Sequence, residues 1–166
     1  MDAGTVSLDY VINKAFEGRY FIGHTPVLPL TSTAWGALLN PVDSPVNFYV
    51  NVFTVTNYSA APFQAQAWLN APLENASESP NVSPSNIARR PLRDPNTRLL
   101  YSGSSGQPSS GVSLLSRIAQ PNMTVVAEYD GEIIVPPGSS FAVYLFSPGA
   151  QKINAELAFG WWEEYI

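Results

Sequence analysis

Residues 128–162 read EYDGEIIVPPGSSFAVYLFSPGAQKINAELAFGWW, and this stretch decides the fold class. Phe141, Val143 and Leu145 alternate with Ala142, Tyr144 and Phe146. Further on, Ile153, Ala155, Leu157, Phe159 and Trp161 alternate with Asn154, Glu156, Ala158, Gly160 and Trp162. A period of two belongs to strands whose faces meet different surroundings. Ser147-Pro148-Gly149 supplies the reversal between the two strands, and Pro136-Pro137-Gly138 delivers the chain into the first of them. Asp130-Gly131 reads as a hairpin dipeptide leading to residues 133–135. Trp161 and Trp162 must face opposite sides of their strand, so whatever covers the second ring is a question from the start.

The same pattern extends backwards. In Val46–Asn57, Val46, Phe48, Val50, Val52 and Thr54 share one face, and Asn47, Tyr49, Asn51, Phe53 and Val55 the other. Residues 63–70 turn Phe63, Ala65, Ala67 and Leu69 inward and Gln64, Gln66, Trp68 and Asn70 outward. At the N-terminus, Val6, Leu8, Tyr10 and Ile12 share a face, as in a first strand. Residues 19–22 form a second short strand, and Pro26 and Pro29 confine the next piece to an edge. Thr33–Leu39 suits either a strand or a helical turn and stops at Asn40-Pro41. Residues 99–101, Val112–Ala119 and 123–129 add strands. The Ser-, Asn- and Pro-rich residues 71–98 form a long loop. The expectation is a single all-β domain, a jelly-roll-like β-sandwich of about eight to ten strands. Residues 1–14 are its N-terminal docking strand or arm and residues 15–166 the sandwich.

Composition narrows the function classes. The chain has 166 residues, enough for a real core, yet only 13% are charged against roughly 25% in ordinary proteins. A charge-poor, aromatic-rich surface favours association of copies. A net charge of −5 argues against general nucleic-acid partners. No cysteine is present, which removes disulfides, thiol nucleophiles and Cys-based metal sites. The N-terminal segment lacks the basic and apolar regions of a Sec signal peptide, and no segment is long enough for membrane insertion.

Catalytic and metal residues are not expected, nor is a cofactor. His24 is the only histidine and sits beside Gly23 and Thr25-Pro26, where it reads as a polar turn residue. Glu128, Asp130 and Glu132 read as a turn with solvated acids, and Gly103-Ser-Ser-Gly106 as a flexible loop. The only basic cluster, Arg89, Arg90, Arg93 and Arg98, suits either an inter-subunit latch onto acids of a neighbouring copy, with Glu163 and Glu164 as candidate acceptors, or the solvated charges of an open loop. Val6, Leu8, Tyr10 and Ile12 are the candidate docking-strand contacts. Trp68, Trp161, Trp162 and Tyr165 are candidate stacking platforms for a glycan.

The segments NVFTVTN (51–57), DGEIIVPPGSSFAVYLFSPG (130–149) and AFGWWEE (158–164) together resemble an uncharacterised family of small β-sandwich proteins from spore-forming bacteria and their phages. The VPPG phrase followed by an apolar strand is similar to jelly-roll strands of viral capsid and decoration proteins, and it resembles the jelly-roll subunits of bacterial endospore appendages. These resemblances imply a non-enzymatic structural subunit that self-assembles into a filament, spore-surface or virion structure. Copies of itself would be its partners, with a glycan or another coat protein as a further one, at an extracellular or particle-surface location. Appendage subunits cross-link through N-terminal cysteines; this chain has none, so its linkage would be non-covalent, with the N-terminal strand lent to a neighbour's sheet. The alternative implied function is a glycan- or receptor-binding β-sandwich module.

Overall fold

The computed structural model describes residues 3–30, 32–149 and 152–166, with side chains of the first helix described from residue 10 onward. One helix, α1 (Ala3–Phe16), precedes twelve strands: β1 (Tyr20–His24), β2 (Leu28–Leu30), β3 (Thr33–Leu39), β4 (Val46–Asn57), β5 (Phe63–Leu69), β6 (Ser77–Glu78), β7 (Val82–Pro84), β8 (Arg98–Ser102), β9 (Val112–Ala119), β10 (Thr124–Val135), β11 (Ser140–Phe146) and β12 (Ile153–Tyr165). All strand pairs are antiparallel.

Sheet A runs β10-β4-β12-β1-β7, with β2 also pairing β12. Sheet B runs β6-β8-β3-β11-β5-β9. Setting aside the short β2, β6, β7 and β8 leaves two four-stranded sheets, β1-β12-β4-β10 and β3-β11-β5-β9, across which the chain passes back and forth. That order is the double Greek key of a jelly roll. The expected all-β jelly-roll sandwich is the observed one. Of the additional strands, β6 and β7 come from the segment read as a 71–98 loop.

The residues that alternate in sequence meet between the sheets. Phe141, Val143 and Leu145 of β11 face Leu157, Phe159 and Trp161 of β12, with Phe48, Val50, Phe53 and Val55 of β4 and Phe63, Ala65 and Ala67 of β5 in the same core. A second apolar cluster lies outside sheet B, where Trp35, Ala37, Ala142 and Tyr144 are covered by Ala71, Leu73 and Leu100. Trp35 Nε1 donates to the Glu74 carbonyl at 3.2 Å, and the Tyr144 hydroxyl donates to the Pro72 carbonyl. The start of the long loop is therefore laid over sheet B, which is why β11 is buried on both faces.

Three expectations need correction. The segment carrying Val6, Leu8, Tyr10 and Ile12 is helical, so it is not a docking strand; the Val6 and Leu8 side chains lie outside the described residues. Residues two apart in a helix lie about 200° apart, so the alternation of these four residues marks no helix face, and the stop signal lies in Gly18. Its φ is +74°, and the Arg19 N–H donates to the Lys14 carbonyl at 2.9 Å while the Gly18 N–H donates to the Ala15 carbonyl at 3.0 Å. That is a Schellman closure.

The faces of β4 also exchange part-way along. Val46, Phe48 and Val50 point inward, but so do Phe53 and Val55, because Asn51 is an extra residue between the positions paired with Trp161 and Gly160. A bulge moves every later side chain to the other face. Opposite it, Asp130-Gly131 is not a hairpin. Both residues have positive φ, at 52° and 82°, inside a four-residue bulge of β10, which pairs with β4 on either side.

Buried asparagines hold the sandwich ends together. Asn40, fully buried, donates through Nδ2 to the carbonyls of Val46 (2.9 Å) and Val135 (3.0 Å), while its backbone binds Ser139 and Gly138. Asn57 does the same for Ala61 (2.8 Å) and Ala119 (3.1 Å). Truncating Asn40 to alanine leaves two buried carbonyls without a side-chain donor, at about 1–3 kcal/mol each. Asn40→Ala is therefore expected to lower the denaturant midpoint strongly while leaving the far-ultraviolet circular dichroism of the folded protein unchanged.

Candidate functional site

The outer face of sheet A carries the polar and aromatic side chains that the core does not use. Trp161 points inward and stacks on Phe21 with 5.9 Å between ring centroids. Trp162, one residue on, points outward yet is only 3% exposed. Its ring lies parallel to Tyr49 at 5.3 Å, with Tyr20 at 6.5 Å and Tyr10 of α1 edge-on at 6.0 Å. The β10 bulge closes the remaining side, since a Cβ on Gly131 would run into the Trp162 ring. The helix, two tyrosines and the bulge are thus what cover the second tryptophan.

Charge secures the helix on this face. Lys14 Nζ lies 2.8 Å from Glu164, and the Tyr10 hydroxyl donates to the same carboxylate. Burial alone would raise the Glu164 carboxyl, but the Lys14 ammonium and the Tyr10 and Tyr49 hydroxyls hold it below its ordinary value. Burial, followed by the hydrogen bond to Glu164, pushes the Tyr10 hydroxyl well above its usual value. Tyr20 is raised by burial, against the pull of Asn51 Nδ2, which donates to it at 2.6 Å.

Beyond this cage the face opens into a groove of about 650 Å³. Ala158 and Gly160 of β12 form its floor between β1 and β4. Gly160 has no room for a side chain, because a Cβ there would lie 2.5 Å from the Tyr20 hydroxyl and 3.0 Å from Val52. Ile22 and Val52 flank the floor, and the residues around Pro80–Val82 rise along one side. At the far end His24 Nδ1 donates to the Thr25 carbonyl at 2.7 Å and lies 3.7 Å from Glu156 Oε1. Ser83 Oγ, also on the groove, is engaged with the Pro84 carbonyl at 2.9 Å.

The structure distributes the sequence-derived candidates differently from expectation. Glu163 is 3% exposed and serves its own chain. Its Oε1 accepts from the Asn96 N–H (3.1 Å) and Nδ2 (3.3 Å), and its Oε2 from the Thr97 N–H (2.8 Å). Glu164 is taken by Lys14. Neither acid is the free acceptor an inter-subunit latch needs, because β12 ends beside the helix and the long loop. Arg98 forks onto Glu78 of its own chain at 2.9 and 3.2 Å and holds that carboxyl below its usual range. Arg93 donates to the Tyr165 hydroxyl at 2.9 Å and lies over its ring. Arg89 and Arg90 are exposed with no carboxylate within 4 Å among the described residues.

Of the aromatic candidates, Trp161 and Trp162 are buried and present no face to a glycan. Tyr165 is half-exposed beneath Arg93 and Arg19. Trp68 lies on the outer face of sheet B, its Nε1 donating to Gln66 Oε1 at 3.0 Å, in a hollow with Gln64, Gln107 and Phe146. Ile12 and Tyr10 are exposed on α1. Sequence reasoning passed over the His24–Glu156 pair because its members are 132 residues apart. The only signal was the run of small outward positions, Ala158 and Gly160, after an outward Glu156.

These features define a jelly-roll domain with an N-terminal helix packed on one sheet and an open groove beside it. Residues 2–166 match a family model described as a family of unknown function, DUF6143, and the chain belongs to that family. No curated protein and no solved structure matches it.

The Glu164 contacts have a sign with pH. A carboxyl whose value is lowered by folding contributes stability above its unfolded value and loses it as pH falls through the folded one. The α1 seal over Trp162 is therefore expected to loosen below the ordinary carboxylate range, near pH 4. Tryptophan emission should shift to the red there, and amides of α1 should exchange faster. Glu164→Gln should show the faster exchange already at neutral pH.

Proposed function

We propose that this protein is a non-enzymatic structural subunit that self-assembles, as part of a filament, a spore surface or a virion, outside the cell or on a particle. The observation that carries this reading is the unprotected edge of sheet B. Four strands end the two sheets, and three are defended in the ways sheets usually are. β6 and β7 are two and three residues long. β10 carries exposed Glu128, Asp130 and Glu132 and is broken by its bulge. β9 has a bulge at Leu114, but it is eight residues long and exposed at nearly every position, with Val112 60%, Leu114 39% and Ile118 64% exposed and Arg117 as its one charge.

An exposed strand edge has a row of unpaired backbone donors and acceptors, so its natural partner is another strand. Two copies related by a two-fold axis would pair β9 with β9 antiparallel and merge their B sheets. Arg89 and Arg90, exposed at the other side of the molecule, offer further electrostatic contact between copies. Leu114→Lys with Ile118→Lys replaces exposed side chains only. Wild-type protein is expected to scatter light as a dimer or larger species and the double variant as a monomer with an unchanged circular dichroism spectrum. A monomeric wild type, or a variant of unchanged mass, would sink the proposal.

One observation favours glycan binding as a second reading. Trp68 sits among the amides of Gln64, Gln66 and Gln107, the mix of ring face and hydrogen-bonding groups that sugars use. On a glycan array, any signal should disappear in Trp68→Ala and persist in the β9 double variant.

A further inference from the structure

We infer that the groove on sheet A is a binding site for a primary ammonium group on an aliphatic stem. This is independent of assembly through β9, which lies at the edge of the other sheet. At about 650 Å³ the groove falls within the size range of small-molecule sites. Its body is apolar: Ile22 and Val52 on either side, Pro80 and Val82 along the rim, and the Ala158–Gly160 floor, where side-chain bulk is missing. Such a trough accepts a methylene chain. It has no exposed tryptophan or tyrosine ring among its lining residues, so it lacks the platform a sugar would use.

The polar end decides the sign of the ligand's head. Glu156 is the only carboxylate lining the groove, and no lysine or arginine lines it among the described residues. His24 Nδ1, 3.7 Å from Glu156 Oε1, has committed its N–H to the Thr25 carbonyl at 2.7 Å, so Glu156 keeps its lone pairs for a ligand. A charged acceptor at the end of an apolar trough suits a donor with several N–H groups and a positive charge. An ammonium supplies three such donors. A carboxylate head would meet Glu156 with like charge, and a bare alcohol has a single donor. The Glu156 side chain is partly open to solvent, at 27% exposure, so a head group reaches it without rearrangement of the sheet.

The chemistry is shared by free alkylamines and by lysine side chains, and titration calorimetry with four probes separates the sources: n-hexylamine, n-hexanol, hexanoate and Nα-acetyl-lysine methylamide. Saturable binding of hexylamine is expected, about tenfold weaker in Glu156→Gln and absent in Ala158→Leu, whose side chain fills the floor. Tighter binding of the lysine derivative than of hexylamine would identify a protein lysine as the occupant, and the reverse order a free amine. Hexanol or hexanoate binding as tightly as hexylamine would overturn the inference. So would the absence of saturable binding by both amines, or undiminished binding in Glu156→Gln. Light scattering of Glu156→Gln should match wild type, which separates this site from the assembly surface.

Discussion

The structure depends on β12 being buried from both sides at its C-terminal end. This strand pairs with β4 over eleven positions and with β1 over five, so it lies in the middle of sheet A. Trp161 and Trp162 give it one large ring on each face. Trp161 joins the core and leaves no exposed surface. Trp162 can leave water only if something else lies across the outer face. Helix α1, Tyr49, Tyr20 and the β10 bulge are the parts recruited for that purpose, and Glu164, two residues further along the same face, anchors the helix through Lys14. Burying a large aromatic side chain contributes on the order of 1.5–3 kcal/mol, enough to explain why a short helix with few other contacts stays on the sheet.

The opposite sheet solves the same problem by a different route. Ala142 and Tyr144 of β11 face away from the core, yet the strand is buried throughout because residues 71–74 are folded over it. The long segment from residue 71 to residue 98 is thereby tied at several points: Pro72 and Glu74 accept from Tyr144 and Trp35, β7 extends sheet A, β6 and β8 extend sheet B, and Glu163 binds the backbone of Asn96 and Thr97. A stretch of Ser, Asn and Pro gains order here from the surfaces it covers. Among the described residues, the places that stay open after both coverings include the groove beside α1, the hollow around Trp68 and the β9 edge.

Much of the fold was legible, and the physical reason is periodicity. Strand alternation in residues 63–69, 141–146 and 153–162 survives intact because those strands are regular and one of their faces always meets the core. The reading failed where the backbone departs from regularity. Asn51 has nothing in its side chain that announces an extra residue, yet it exchanges the faces of Phe53 and Val55 with those of Val52 and Thr54. Asp130-Gly131 carries a true signal for positive φ, but a hairpin and a bulge ask for the same residues. In the N-terminal segment residues 6, 8, 10 and 12 alternate as a strand's would, and only Gly18 pointed to a helix. Charge alone makes Glu163 and Glu164 candidate acceptors for the arginines, and it does not show that the backbone N–H groups of Asn96 and Thr97 and the Lys14 ammonium reach them within the chain.

Sequence alone determined that the protein is all β, that its core is built from the alternating faces of the C-terminal strands and their partners, and that one of two adjacent tryptophans must lie outside that core. These follow from local chemistry, since side-chain direction in a strand is set by the residue's own position. Only the tertiary structure decided what lies against the outer faces: the helix over Trp162, the loop over Tyr144, and the meeting of His24 with Glu156. Those contacts join residues far apart in the chain, and strand order and register, which no short stretch encodes, bring them within reach of one another.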